Sequence, residues 1–122
     1  FSSLTEEDII KLEKYIQKQK EALEDEDVKK FYENDKNFHM LFFEKYKNPH
    51  LTEMMHNIRD RYLLCSLATV NEGVSGITGA IKEHQELVKN IRNGNKEKAL
   101  SNLIDNIKKS QKRLQNGNIA IN

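Results

Sequence analysis

Three side chains that could bind a metal ion occupy positions where helical spacing predicts apolar residues. Over residues 28–42 the inward positions advance by three, four, three and four residues and pass through Asp35, and His39 follows four residues later. Side chains four residues apart on a helix stand about 5–6 Å apart at Cβ, so this carboxylate and imidazole share a face. His84 lies at the centre of a second apolar stripe, over residues 77–91. Bundle cores hold divalent ions with carboxylates and imidazoles on facing helices, so a metal site is one interpretation.

A fourth polar residue, Asn106, lies on a further stripe at the same predicted depth. The turn Asn93-Gly94-Asn95 is typical of an αα-hairpin. His84 stands ten residues before Gly94 and Asn106 twelve after it, which at about 1.5 Å per residue places both roughly 15–18 Å from the turn. Buried polar groups must be satisfied, either by one another or by a shared guest. Borderline divalent ions such as Zn²⁺, Ni²⁺ or Mn²⁺ accept such a mixed nitrogen and oxygen set.

Two other interpretations use the same residues. The D-x-x-x-H spacing is short, and a closed hydrogen-bond network of the four polar side chains predicts a metal-free helical interaction or dimerisation module. A bundle metalloenzyme is the third interpretation, because an open metal site can activate water. No further carboxylate or histidine stands on a stripe to act as a general base, so we do not expect an enzyme.

The elements that must position these residues are helices. One proline, five glycines and 32% charged residues among 122 favour helix over strand. We predict helices at about 5–23, 27–46, 49–70, a fourth that carries residues 77–91 after a loop or frayed start at 71–79, and a fifth from 95 to 115. The tail after residue 115 is predicted to be disordered. The sequence thus predicts an all-α antiparallel bundle.

Size and charge limit the possible classes of protein. The 122 residues form one predicted domain, with an ordered core at about 4–115. Lys and Arg number 20 against 19 Asp and Glu, a formal charge of +1, so no strong field attracts nucleic acid or an anionic membrane. The apolar runs are far shorter than a membrane span, which needs about 20 residues. The single cysteine, Cys65, cannot form an internal disulfide, and a cytoplasmic location is expected.

Several motifs, in their order and spacing, resemble those of a known family. They are Asp35-Lys36-Asn37-Phe38-His39, Asn48-Pro49, Glu83-His84 and Ile91-Arg92-Asn93-Gly94. Together they resemble the FCD domain, the FadR-C-terminal-like effector-binding domain of GntR-family bacterial transcription regulators. The resemblance extends from about Leu4 to Lys112 and implies a bundle of about five to six helices.

The resemblance also implies a function. It implies that Asp35, His39 and His84 bind a divalent metal, and that a small carboxylate effector occupies the metal's open positions. The family has a histidine where this chain has Asn106, which makes Asn106 a weak or lost fourth ligand. Neither the family's winged-helix domain nor its usual first helix is part of this sequence. We therefore expect part of a longer, homodimeric regulator that reaches operator DNA through that missing domain.

Arg61 is a candidate for binding the effector. It continues the apolar spacing of the third predicted helix, so it either reaches the cavity and pairs with a carboxylate or lies at the edge of the stripe and extends to solvent. His50 and His56 have polar neighbours and are predicted at the surface.

Overall fold

A computed structural model of the chain describes residues 4–45, 49–54, 56 and 74–121. These residues form four long helices, which are α1 (Glu6–Glu24), α2 (Val28–Lys45), α3 (Val74–Arg92) and α4 (Lys96–Ile121). Residues 49–54 are also helical, and the described part of the chain contains no strand. The all-α prediction is confirmed.

The helices share one apolar core. α1 packs against both α2 and α3, and α3 packs against α4. Among the described residues, the largest fully buried apolar side chains are Leu12, Phe31, Phe38, Phe42, Leu51, Leu87, Leu103 and Ile107. None of the described helices combines the length and the hydropathy that a membrane crossing requires.

The helix starts follow from capping residues. The Thr5 side chain accepts a hydrogen bond from the backbone of Asp8, and the Asp8 carboxylate accepts one from the backbone of Thr5. This reciprocal box satisfies donors that a helix start leaves unpaired. Asp27 caps α2 in the same way, by accepting from the Lys30 backbone at 3.0 Å. Thr5 and Asp27 thus mark the starts of α1 and α2.

The hairpin between α3 and α4 closes at Gly94, as predicted. Gly94 has a φ of 73°, a conformation that glycine adopts without a side-chain clash. Its N–H donates to the Ile91 carbonyl, and the Asn95 N–H donates to the Asn90 carbonyl. This pair of bonds is the Schellman ending of a helix, and Ala99 then opens α4 by donating to the Asn95 carbonyl. The turn sets the register of α3 against α4.

Two predicted boundaries are wrong. We predicted a loop or frayed start over 71–79, yet α3 is helical from Val74, through two glycines. Ile77, Ala80 and Ile81 are buried, and that packing outweighs a helix propensity loss of about 1 kcal/mol per glycine. The backbone of α4 also continues to Ile121 instead of ending near residue 115. Its Asn-Gly pair at 116–117 is helical. An Asn-Gly pair ends a helix where the glycine takes a positive φ, as Gly94 does.

The turn between α1 and α2 has the same Schellman bonds but a less suitable residue. Glu26 has a φ of 54°, which clashes with its Cβ. We predict that Glu26→Gly raises the free energy of unfolding by about 1 kcal/mol, because glycine removes that clash. Urea denaturation measures the change. The control is Lys18→Gly, at an exposed position inside α1, which is expected to lower stability by about the same amount. A loss of stability in Glu26→Gly would contradict the prediction.

Arg92 joins the end of α3 to α1. Its guanidinium donates to Glu13 through two nitrogens, at 2.7 and 3.1 Å, and to Glu6 at 3.0 Å. The hydrogen bond from Arg92 holds the pKa of Glu13 below its usual value. Since the folded-state pKa is lowered, this pair contributes stability above the ordinary glutamate pKa and loses it as the pH falls through the lowered value.

The corresponding variant is Arg92→Met, which keeps an apolar stem and loses the ion pairs. We predict that it is less stable than the wild type at neutral pH, and that the difference shrinks in strongly acid solution as Glu13 becomes protonated. Urea denaturation at several pH values tests this. Lys89→Met, an exposed neighbour on α3, should show no such acid-dependent difference. A difference for Arg92→Met that stays constant with pH would contradict the prediction.

Candidate metal centre

Three ligand-type side chains meet in the core. Asp35 and His39 come from α2, and His84 comes from α3; all three are fully buried. One atom of the Asp35 carboxylate, Oδ1, lies 3.2 Å from Nε2 of His84 and 3.7 Å from Nδ1 of His39. The three candidate ligand atoms lie within 4.8 Å of one another. The structure therefore brings together the three residues predicted as strong ligands.

Local helix geometry and packing place these atoms. Asp35 and His39 share a face of α2 because they stand four residues apart. Phe38 stacks on the ring of His84, with centroids 4.2 Å apart and an interplanar angle of 28°. The two imidazoles meet edge to face at 5.4 Å. Aromatic packing thus fixes both rings and keeps the carboxylate in a dry environment.

The distances within the cluster suit a shared cation better than direct hydrogen bonds. The 3.7 Å between His39 Nδ1 and Asp35 Oδ1 is too long for a hydrogen bond, and the 3.2 Å contact from His84 Nε2 lacks hydrogen-bond alignment. With metal bonds of about 2.0–2.2 Å, two ligands of one ion stand roughly 3–3.5 Å apart. The set of two nitrogens and one oxygen suits Zn²⁺, Ni²⁺ or Mn²⁺. The residues present therefore fit a divalent ion.

Asn106 lies on the outer side of His39. Its Oδ1 is 2.6 Å from Nε2 of His39, the ring nitrogen other than the one beside Asp35. Its amide nitrogen donates to Oε1 of Glu83 at 3.0 Å, and Lys109 pairs with the other oxygen of Glu83 at 2.8 Å. The structure thus brings Asn106 to the cluster as a neighbour of a ligand. Its predicted role as a weak or lost fourth ligand stays a prediction.

Sequence reasoning missed Gln19, a fully buried residue of α1. Its Oε1 lies 2.7 Å from Nδ1 of His84, and its amide nitrogen donates to the Asn34 carbonyl at 3.2 Å. A signal was present, because Gln19 completes the stripe of α1 at steps of three, four, three and four. The other members of that stripe are Ile9, Leu12, Ile16 and Leu23.

The remaining candidates are two histidines, Arg61 and two cavities. His50 and His56 are exposed, as predicted. Arg61, the predicted effector-binding residue, lies outside the described residues. A cavity of about 240 Å³ opens between α3 and α4 over Asn106. A larger one of about 430 Å³ lies between α1 and α3 around Arg92, and none of the three ligand-type residues lines it, so the buried cluster is the better candidate site.

A helical bundle with a buried carboxylate and two imidazoles at its centre has the side chains from which bundle cores build metal sites. The family model of the FCD domain matches residues 1–107, and the chain belongs to that family. FCD domains are the ligand-sensing regulatory domains of GntR-type transcription regulators. No curated protein and no solved structure shows a significant match to the chain.

Proposed function

We propose that this domain senses a small carboxylate effector through a divalent metal ion held by Asp35, His39 and His84, as part of a GntR-family transcription regulator. The observation that supports it most directly is the cluster itself, with three fully buried ligand atoms within 4.8 Å of one another. Family membership supports the regulatory part of the proposal.

The three ligand residues would have different roles in binding the metal ion. Asp35 supplies the negative charge, and the two imidazoles supply neutral nitrogen ligands held by ring stacking. A bound divalent ion would supply positive charge and open coordination positions for a carboxylate, because three protein ligands do not fill its coordination shell. Arg61 remains the proposed partner for the effector carboxylate. The ion identity, Zn²⁺, Ni²⁺ or Mn²⁺, is part of what the experiments must determine.

Regulation would follow from differential binding. An effector shifts a two-state equilibrium only by its difference in affinity for the two states. We propose that the states are two arrangements of a homodimer, in which the DNA-binding domains of the longer regulator are set apart differently. The metal and the effector would bind at the meeting point of α2 and α3, so they can act on how these helices pack.

The metal is tested by elemental analysis of protein purified without a chelator or a histidine tag. We expect about one divalent ion per chain in the wild type, as for a single three-residue site. Asp35→Ala and His84→Ala should lose it. His50→Ala is the matched control, because it removes an exposed histidine and should keep the ion.

Stability gives a second measure of the same site. An ion that binds only the folded state raises the free energy of unfolding by about 2.7 kcal/mol at one hundred times its dissociation constant. We expect that gain in wild type and His50→Ala, its removal by chelator, and no gain in His84→Ala. A wild type that contains no metal, and whose stability responds neither to chelator nor to added Zn²⁺, Ni²⁺ and Mn²⁺, would instead support the metal-free interaction module.

The effector is tested by calorimetry with hydroxy acids, dicarboxylates and sugar acids. We expect heat of binding from at least one of these acids with metal-loaded wild type, and none with Asp35→Ala, because the carboxylate needs the open coordination positions. The methyl ester of the binding acid is the matched ligand control and should not bind. Consumption of the acid over time would identify the metalloenzyme alternative, and equal binding without metal would contradict the proposal.

A further inference from the structure

The amide of Gln19 has only one possible orientation. Its nitrogen donates to the Asn34 carbonyl, an atom that can only accept, so its oxygen faces Nδ1 of His84 at 2.7 Å. An amide oxygen is also only an acceptor. The proton in that contact must therefore sit on Nδ1 of His84, and a neutral ring then has its lone pair on Nε2.

The amide of Asn106 is oriented by the same logic on the opposite side of the cluster. Its nitrogen donates to a carboxylate oxygen of Glu83, which leaves its oxygen facing Nε2 of His39 at 2.6 Å. His39 must therefore carry a proton on Nε2, and a neutral ring then has its lone pair on Nδ1. Lys109 also donates to Glu83, at 2.8 Å.

In their neutral forms the two histidines therefore take opposite tautomers, with both lone pairs on the Asp35 side. His84 Nε2 and His39 Nδ1 are the two nitrogens at 3.2 and 3.7 Å from Oδ1 of Asp35. If either ring took the other tautomer, its N–H would occupy the space between the three atoms. That ring could no longer serve as a ligand from this position.

We propose that Gln19 and Asn106 are positioning residues, each of which fixes the tautomer of one histidine so that both lone pairs face Asp35. This inference rests on the proposed metal site for its purpose, although the tautomers can be measured without a metal. Mutation of a residue that orients a ligating histidine typically weakens metal binding by about 10- to 100-fold.

Gln19 is expected to matter more than Asn106. An unconstrained neutral histidine prefers its proton on Nε2, which is already the form that His39 needs. His84 needs the less common form, and only its contact with Gln19 among the described residues supports that form. Removing the Gln19 acceptor therefore lets His84 place its N–H towards Asp35, where the ion would bind.

The first measurement is made on metal-free protein in mildly alkaline solution, which favours neutral imidazole rings. Long-range proton–nitrogen correlation spectra report which ring nitrogen carries the proton. We expect His84 in the Nδ1–H form and His39 in the Nε2–H form. Gln19→Leu should move His84 to the Nε2–H form. Gln19→Glu loses the donor to the Asn34 carbonyl but keeps an oxygen acceptor for Nδ1, so the proton should stay on Nδ1 of His84.

The second measurement is affinity for Co²⁺, followed by its visible absorption. We expect about 10- to 100-fold weaker binding in Gln19→Leu and a smaller loss in Asn106→Leu, with Gln19→Glu close to wild type. The matched control is Asn90→Leu. It also removes a buried amide hydrogen bond, to Asn102 at 2.6 Å between α3 and α4, but it touches neither histidine. Its Co²⁺ affinity should remain within about twofold of wild type.

The outcomes separate this inference from the proposed function. Identical tautomers in the wild type, or unchanged spectra and unchanged Co²⁺ affinity in Gln19→Leu, would overturn the positioning role. An equal loss of affinity in Asn90→Leu would also overturn it, because the effect would then reflect general damage to the bundle. If wild type binds no Co²⁺, the proposed metal site fails, and the tautomers of wild type, Gln19→Leu and Gln19→Glu alone then decide the positioning role.

Discussion

The constraint on which the rest of this domain depends is a carboxylate at zero exposure with two imidazole nitrogens beside it. A fully buried carboxylate loses its hydration, and hydrogen bonds or positive charge must offset that cost. The surrounding arrangement is consistent with this need. Rings of His39 and His84 converge on the same oxygen, and Phe38 stacks against the second ring. The polar side chains at the centre of the apolar core are thus arranged around one oxygen of Asp35.

That organisation uses all four long helices. α2 supplies the carboxylate and one imidazole, and α3 supplies the other. α1 and α4 contribute the amides of Gln19 and Asn106, which contact the ring nitrogens farthest from Asp35. Each amide is in turn oriented by a further acceptor. A displacement of any one helix would therefore break a hydrogen bond of the cluster, which gives a bound guest a physical route to influence the packing of the whole bundle.

The part of the candidate site that follows from helical periodicity could be predicted from the sequence. Asp35 and His39 lie on one turn of one helix, and counting residues from Gly94 brought His84 to the depth of Asn106. The packing of α1 against α3 is a tertiary property, so the contact between Gln19 and His84 could not be read from either stripe, although the break in the α1 stripe was visible. The start of α3 was misjudged because burial of Ile77 and Ile81 outweighs the low helix propensity of its glycines.

The tight hairpin at Gly94 fixes how many residues separate the turn from the site on α3 and α4. The amide of Asn106 meets His39 and Glu83 only because α3 and α4 leave the turn in one register and run a fixed number of residues before they reach the cluster. One extra residue in either stretch would swing everything beyond it by about 100° around the helix axis. Exposed residues between the turn and the site can therefore be substituted, whereas an insertion or deletion there would disrupt the site.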